Sequence, residues 1–379
     1  MREEALKLLP VFYLQCSLKP LIIMIHNVIK FKIILCFIIL MISCNSTQKE
    51  KIFNNFPEEI DLKAKIIDSK GVVNVYGTIG IQDSIMIITN YNDSHILYFI
   101  DKYDFSPQKK VIKRGRGPYE VPSLLRGAHL NDINDEFYYN SGAKHTIYKF
   151  SIPPSIKDTI NILEFMKYKN SPEIFEMEII DDSLLCYVGS RDYSAMLVNK
   201  KGEIIKNIGK LPDKPEGIKE ANYNNMYTRF ISFNSLKKQI VIGFYKIDKL
   251  ISFDLEGNKV FEKIGPDNIE TSYKNQYQHN AKKAYYSIKS DGNYIYGLYS
   301  GRKSYIFNSK AITFDNIKHL YSKSILIFDW EGNPKLRVNL SHECRDFIID
   351  KETNRLITLS LEEEPFHVYD FSKIKQVLN

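Results

Sequence analysis

Residues 325–333 read ILIFDWEGN, an apolar strand-like stretch that ends on an aromatic residue and runs directly into a turn. The same sequence pattern, apolar-x-aromatic followed by a turn, recurs along the chain about every 50 residues. The other copies are ILYFIDKYD from Ile96, TIYKFSIPP from Thr146, AMLVNKKGE from Ala195, LISFDLEGN from Leu250 and FHVYDFSKI from Phe366. The chain therefore contains six copies of one structural unit.

A second apolar strand precedes each copy, behind a turn rich in Asp, Asn or Gly. These strands are DSIMIIT from Asp83, DEFYYN from Asp135, DSLLCYV from Asp182, KQIVIGF from Lys238, GNYIYGLY from Gly292 and TNRLITL from Thr353. Runs such as IMII and IVIGF are apolar on both faces, as in a sheet packed between two neighbours. Six such units, each with room for four strands, predict an all-β, six-bladed β-propeller of four-stranded antiparallel blades. A β-sandwich would show cleaner alternation and fewer units.

The end of the chain predicts how the ring closes. Only a short segment follows the last copy, which leaves a short fourth strand for the sixth blade. Residues 61–67 (DLKAKII) are apolar enough to supply or complete that strand. An N-terminal strand in this place would remove an open sheet edge. We also expect Gly202, Gly257 and Gly332 to take positive φ in the turns.

The N-terminus has the features of a secretion signal. Residues 33–42 (IILCFIILMI) form an apolar run behind a basic flank, too short to span a bilayer but suited to a signal peptide. Ser43-Cys44 closes the run in a pattern that resembles a bacterial lipobox, with Met24 as a better start than Met1. We therefore predict a signal peptide at 1–43, lipidated Cys44 and a polar tether at 44–56, and the propeller at 57–379. The alternatives are a buried N-terminal helix or a true membrane anchor.

Cysteine usage agrees with an exported, lipid-anchored protein. Cys16 and Cys36 fall in the predicted signal peptide, and Cys186 and Cys344 remain in the folded part without metal-ligand spacing. The repeat assignment puts Cys186 in the second strand of the third unit and Cys344 in the inner strand of the sixth. Because these units lie on opposite sides of a six-membered ring, we predict two buried, unpaired thiols.

The net charge of +7 does not indicate nucleic-acid binding. The residues before Cys44 carry three of those charges, and the remaining Lys and Arg are interspersed with Asp and Glu instead of forming a stripe. We expect no nucleic-acid partner.

One motif indicates a family. Residues 115–120 read GRGPYE, which resembles the GxGPxE signature of TolB-like six-bladed propeller lipoproteins of Bacteroidota. The resemblance covers about residues 50–379 and implies a fold and an envelope location more than an activity. The sequence departs from the family at Tyr119, where Gly is usual, and at Val121, where an aromatic residue is usual.

Several motifs that suggest chemistry have simpler explanations. Pro118 removes a donor that a phosphate loop needs, and no helix follows, so 115–118 is a blade-to-blade turn. Residues 362–364 (EEE) suggest a metal or acid/base cluster, but successive strand residues point to opposite faces, which favours a solvated loop. The eight His are widely separated, with no HExxH. We expect no metal, no cofactor and no catalytic residue, although a spatial Ser-His-Asp triad stays open.

Strand direction predicts where a ligand binds. Connections between blades, and between second and third strands, share one face, and the long loops 113–126, 211–229, 266–284 and 300–323 all belong to it. Polar and aromatic loops on a rigid scaffold are typical ligand sites, although solvated loops without a ligand are the alternative. The candidate residues are Arg114, Arg116, Tyr119, Glu120, Arg126, Tyr223, Tyr227, Arg229, Tyr277, His279, Arg302 and Tyr305.

Two functions fit these features. The favoured one is a membrane-anchored binding or scaffold lipoprotein of the cell envelope, in the outer membrane and facing the periplasm or the surface. Its partners would be the membrane, through the lipid, and a glycan, a peptide or an envelope protein at the channel mouth. The alternative is a propeller enzyme, a hydrolase or lyase, acting at the same channel mouth. Fold alone does not decide between them.

Overall fold

The structure is a computed structural model. It describes residues 51–72, 75–90, 93–121, 128–131, 135–152, 159–168, 174–189, 192–214, 216–217, 219, 223, 226–267, 282–303, 305–306, 317–318, 321–360 and 362–379. The predicted signal peptide (1–43) and the predicted lipidation site, Cys44, lie outside these residues. Within them, no helix is both long enough and apolar enough to cross a bilayer.

The described chain is almost entirely β-structure. In chain order the strands are β1 (Lys51–Ile52), β2 (Glu59–Leu62), β3 (Lys65–Ile67), β4 (Val75–Gln82), β5 (Ile85–Asn90), β6 (Leu97–Asp101), β7 (Pro107–Lys110), β8 (Ala128–Asn131), β9 (Glu136–Ser141), β10 (Thr146–Ser151), β11 (Leu163–Lys167), β12 (Ile174–Asp181), β13 (Leu184–Gly189), β14 (Tyr193–Asn199), β15 (Ile204–Lys210), β16 (Arg229–Asn234), β17 (Gln239–Phe244), β18 (Lys249–Asp254), β19 (Lys259–Ile264), β20 (Tyr285–Ser290), β21 (Tyr294–Tyr299), β22 (Tyr305–Ile306), β23 (Ile317–Lys318), β24 (Ser322–Asp329), β25 (Pro334–Cys344), β26 (Asp346–Asp350), β27 (Arg355–Leu359) and β28 (Phe366–Asp370). The described residues also include a 3-10 turn (Gly142–Lys144) and a C-terminal helix, α1 (Ser372–Leu378).

These strands form six blades. Blades one to four are β4–β7, β8–β11, β12–β15 and β16–β19, each paired in sequence order. Blade five is β20, β21, β24 and β25, with the β22–β23 hairpin inserted in it, and blade six is β26, β27, β28 and β3. The first strands contact each other around a closed circle, from β4 through β8, β12, β16, β20 and β26 back to β4. This arrangement confirms the predicted six-bladed propeller, and every predicted strand pair lies in the expected second and third positions.

The ring closes through the N-terminal segment. β3 pairs antiparallel with β28, joining Ile67 to Phe366 and Lys65 to Val368. The residues after β28 form α1 instead of the expected short fourth strand, because β3 already occupies that edge. The prediction for 61–67 is thus confirmed for β3, whereas Asp61 and Leu62 belong to β2, which pairs parallel with β25 of blade five.

Residues 51–56, which the sequence assigns to the tether, contact the propeller. β1 pairs parallel with β19 at the edge of blade four. The rings of Phe53 and Phe56 pack edge-on against Phe328, each with its centroid 5.5 Å from that ring. The packing of these two aromatic side chains stabilises the contact of residues 51–56 with the propeller.

The hydrophobic core is divided among the seams of the ring. The buried apolar side chains form six clusters, each between two neighbouring blades. Because each middle strand contributes to the clusters on both of its sides, β5 and β17 read as continuous apolar runs. The sequence feature that predicted a propeller therefore has a direct structural cause.

The turns use residues that tolerate left-handed backbone. Gly202, Gly257 and Gly332 have φ of 78°, 84° and 78° in the turns before fourth strands, as predicted. Asp83 and Asp135 have φ of 47° and 54° in the turns before second strands, which suits the short side chain of Asp. These turns lie together on one end of the propeller.

Both folded cysteines are free and fully buried. Burial raises the pKa of both thiols well above the ordinary value. Cys186 lies in the second strand of blade three, as predicted. The placement of Cys344 was wrong: it ends β25, the outer strand of blade five. That strand runs for 11 residues and a new strand begins at Asp346, so ECRDFII spans two blades instead of forming one strand.

Candidate functional site

The two ends of the propeller differ in the length of their connections. The strand ends that the connections 111–127, 211–228, 265–284 and 300–321 join all lie on the end that carries the blade-to-blade links, as predicted. We call this end the long-loop face and the opposite end the plain face. The plain face carries mostly short turns, with the connection 152–162 of blade two as the longest between described strands.

The GRGPYE turn is held closed by its own glutamate. The Glu120 carboxylate accepts a hydrogen bond of 2.7 Å from the Gly117 N–H. A Cβ on either Gly115 or Gly117 would overlap that carboxylate, so both glycines make room for it. The Lys144 ammonium donates to the Gly117 carbonyl, and Lys113 lies 3.8 Å from Glu120. The Glu120 carboxylate, which was predicted to bind a ligand, therefore makes its contacts within the turn.

Tyr119, where the resemblance leads us to expect glycine, has a backbone conformation that suits glycine. Its φ of 60° is in the left-handed region, where a side chain is strained and glycine is not. Its ring is 47% exposed and packs edge-on against Tyr148, with 5.6 Å between centroids. Beside it, Arg116 is exposed and the Arg114 Nε donates to the Asp93 carbonyl at 3.0 Å. Tyr119 and Arg116 are thus the predicted residues of this turn that face solvent.

Three predicted ligand residues are structural instead. The Arg229 guanidinium is 4% exposed and donates to the carbonyls of Ser194 at 2.7 Å, Tyr227 at 2.8 Å, Gly189 at 2.5 Å and Tyr193 at 2.6 Å. Burial lowers the pKa of Arg229 to about 10. Tyr223 and Tyr227 are buried in the blade three–four core, and the Tyr223 hydroxyl donates to the Pro212 carbonyl. These side chains fasten the 211–228 connection and offer no surface to a ligand.

Five predicted residues remain, and the structure describes two of them, Arg302 and Tyr305. Arg302 is partly exposed on the long-loop face, where it donates to the Tyr321 carbonyl at 3.1 Å and lies 3.2 Å from the Glu343 carboxylate. Tyr305 is in β22 of the inserted hairpin. Arg126, Tyr277 and His279 lie outside the described residues.

Arg302 belongs to a group of cationic and aromatic side chains that the sequence did not reveal. The Lys283 ammonium lies 5.5 Å from the Tyr245 ring, Tyr245 packs on Tyr286 at 5.0 Å, and Tyr286 packs on Tyr321 at 5.9 Å. The Arg345 guanidinium lies 5.8 Å from the Tyr321 ring. These contacts form one continuous patch where blades four and five meet, which we call the blade four–five cluster. Its members are Tyr245, Lys246, Lys283, Tyr286, Arg302, Tyr321, Glu343 and Arg345.

Two lysines of the cluster are buried without a counterion among the described residues. Lys246 and Lys283 are each 8% exposed, and neither forms an ion pair with a carboxylate of the described chain. Burial, together with repulsion by Lys246, lowers the pKa of Lys283 to about 8, and burial lowers the pKa of Lys246. The nearby Asp248 is buried and accepts a 2.9 Å hydrogen bond from the Asp267 N–H. Unpaired buried charge is costly, and it marks functional sites more often than structural ones.

The channel wall carries polar pairs between neighbouring first strands. The His129 Nδ1 lies 3.1 Å from the Glu178 carboxylate, joining blades two and three. The Ser232 and Ser290 hydroxyls hydrogen-bond at 2.7 Å, joining blades four and five. Each pair is satisfied within the wall.

The glutamate triplet lies in a loop, as predicted. Residues 360–365 connect β27 to β28 on the long-loop face. Glu363 is exposed, and the Glu364 carboxylate accepts a 2.7 Å hydrogen bond from the Ser69 N–H. Glu362 instead faces two imidazoles, those of His342 and His367. The three carboxylates therefore do not converge on one site.

Comparisons with known proteins agree with this architecture. The family model described as TolB-like 6-blade propeller-like matches residues 55–352. A solved structure from Bacteroides fragilis, described as a "Putative exported protein", is 11% identical, covers 84% of this chain and 99% of its own, and superposes with a TM-score of 0.54. The β-propeller domain of Cps50 (Swd1) from Myceliophteria thermophila is 8% identical, with 81% and 99% coverage and a TM-score of 0.46. No curated protein matches the sequence significantly.

Proposed function

The chain belongs to the TolB-like six-bladed propeller family, and from that premise we propose that it is an extracytoplasmic binding module for an anionic glycan. The ligand binds at the blade four–five cluster on the long-loop face. A lipid on Cys44 holds the protein to a membrane, with residues 1–43 removed as a signal peptide. The Bacteroides structure described as an exported protein supports the extracytoplasmic part of this proposal.

The observation that carries the proposal is the pair of buried lysines without a carboxylate. Lys246 and Lys283 repel each other, and no described side chain offsets their charge. With Arg302 and Arg345, the described part of the cluster holds four cations and one carboxylate, Glu343, which lies 3.2 Å from Arg302. An anionic group of a ligand placed between these cations would form charge-assisted hydrogen bonds and relieve the repulsion.

The aromatic part of the cluster favours a sugar over a bare anion. Tyr245, Tyr286 and Tyr321 follow one another in edge-on contact, and the first and last of these rings each lie beside a cation, Lys283 and Arg345. Flat rings next to hydrogen-bond donors are the usual lining of a ligand site, because the rings pack against the ring of the ligand and the donors fix its orientation. A uronic acid or a sulfated sugar supplies both the sugar ring and the anionic group.

A panel of acidic and neutral oligosaccharides tests the proposal on the full-length chain purified in detergent. We expect acidic members to bind, neutral members not to bind, and affinity to fall as salt increases. Lys283→Met should weaken binding at least about tenfold, since it removes one desolvated charge contact. Lys201→Met, an exposed lysine on the plain face, is the matched control and should bind as the wild type does. Equal binding by wild type and Lys283→Met would refute the site, and binding of peptides or envelope proteins alone would refute the ligand class.

A further inference from the structure

We propose that His342, Glu362 and His367 form a binding site for a divalent metal ion of the zinc class, in the seam between blades five and six. His342 lies near the end of β25, His367 lies on β28, and Glu362 lies in the loop that leads into β28. The end of β25 and the start of β28 both reach the long-loop face. Two blades therefore contribute to the site, which the propeller assembles.

The distances between the three ligand atoms suit one tetrahedral ion. The Glu362 Oε2 lies 3.5 Å from the His342 Nδ1 and 3.4 Å from the His367 Nε2. Bonds of about 2.1 Å to a tetrahedral zinc ion put neighbouring ligand atoms about 3.4 Å apart. All three ligand atoms lie within 4.8 Å of one another, and His342 and Glu362 are exposed enough to move towards a shared ion.

The burial of the His367 imidazole is a second observation that supports a metal-binding role. The His367 side chain is fully buried, yet neither of its ring nitrogens makes a well-aligned hydrogen bond with a described residue, and the Nε2 contact with the Glu362 carboxylate is long, at 3.4 Å. A buried polar group in this condition costs free energy, about 1–3 kcal/mol in typical proteins. The Nε2 faces the Glu362 carboxylate, where an ion would satisfy it.

The other two groups leave a route for an ion from solvent. The side chains of His342 and Glu362 are 31% and 49% exposed. Two imidazoles and one carboxylate are the ligands that zinc takes where a fourth position stays open to water. Calcium and magnesium prefer sites made of oxygen ligands, so the donor set selects a transition metal or zinc.

Zinc and cobalt titrations of the full-length chain in detergent test the site. After treatment with a chelator, the wild type should bind one Zn²⁺ per chain, and Co²⁺ should give the intense visible absorption of a tetrahedral complex. Glu362→Gln should weaken Zn²⁺ binding at least about tenfold, because loss of even a supporting group costs that much. Glu363→Gln changes the exposed neighbouring glutamate and should bind Zn²⁺ as the wild type does.

The test uses variants at positions outside the core, so that a loss of Zn²⁺ binding is not caused by misfolding. His367 is buried and its replacement disturbs packing, so His342→Ala serves as the second ligand variant and His95→Ala as its control. Zn²⁺ should raise the melting temperature of the wild type and of both controls, and leave Glu362→Gln and His342→Ala unchanged. Equal Zn²⁺ affinity in wild type and Glu362→Gln, or no Zn²⁺ uptake by the wild type, would overturn the proposal. Neither outcome depends on glycan binding.

Discussion

Replacing Lys283 with methionine should make the protein more stable at neutral pH. The substitution nearly keeps the volume of the unbranched side chain and removes a buried cation that no described carboxylate pairs with. The pKa of Lys283 falls to about 8 on folding, which means that the folded state disfavours the protonated, charged form of this side chain. A functional site often carries a destabilising feature of this kind, which mutation relieves at the expense of binding.

The size of the effect follows from the pKa. A decrease from 10.5 to about 8 corresponds to an upper limit of about 3 kcal/mol, at about 1.4 kcal/mol per pH unit. Partial access of water to the ammonium reduces this to about 1–2 kcal/mol. The unfolded chain binds more protons than the folded chain between pH 8 and 10.5, so wild-type stability rises across that window. The advantage of Lys283→Met is therefore complete below pH 8 and declines towards pH 10.5.

Urea unfolding at pH 7 and at pH 10, with wild type and variant measured together, checks this prediction. The difference in the free energy of unfolding should be about 1–2 kcal/mol at pH 7 and smaller at pH 10. Lys201→Met, an exposed substitution, should show no pH-dependent difference. A Lys283→Met protein that is less stable than wild type at pH 7, or a difference that does not change with pH, would refute the argument from buried charge.

Three further predictions concern the core, the GRGPYE turn and the anchor. Arg229→Leu should lower the free energy of unfolding by about 3 kcal/mol or more in urea titrations, since it leaves four backbone carbonyls without their donor. Glu120→Ala should lower it by about 1 kcal/mol and speed amide exchange at Gly117, and unchanged exchange would contradict the role of Glu120. Cys44→Ala should abolish incorporation of labelled fatty acid and release the protein from membranes, and unchanged fractionation would argue against the lipid anchor.

The sequence predicted the ring because the propeller repeats its packing. Each middle strand lies between two blades, so its apolar run appears six times in the chain. The turn glycines were predictable for a similar reason, since positive φ limits the choice of residue. The border between blades five and six was not, because β25 continues through Cys344 without a turn residue to mark its end.

The sequence predicted which face of the propeller carries the candidate site, but it did not predict which residues form the site. Loop lengths identified the long-loop face, whereas Arg229 and Tyr223 gave no sign of burial, since an aromatic or basic residue in a loop suits the surface equally well. Lys246 and Lys283 lie 37 positions apart on neighbouring blades and are single lysines without a motif. His342 and His367 are likewise separated, and only the seam between two blades brings them together.

Hydrogen–deuterium exchange with and without the tightest-binding acidic oligosaccharide of the panel tests the central claim most directly. We predict protection of backbone amides in residues 245–248 and 283–286 and around Tyr321, with no change in the plain-face turns that contain Gly202 and Gly257. Protection should disappear in Lys283→Met. Protection confined to the plain face, or to parts of the chain away from blades four and five, would contradict the proposal that this cluster is the binding site.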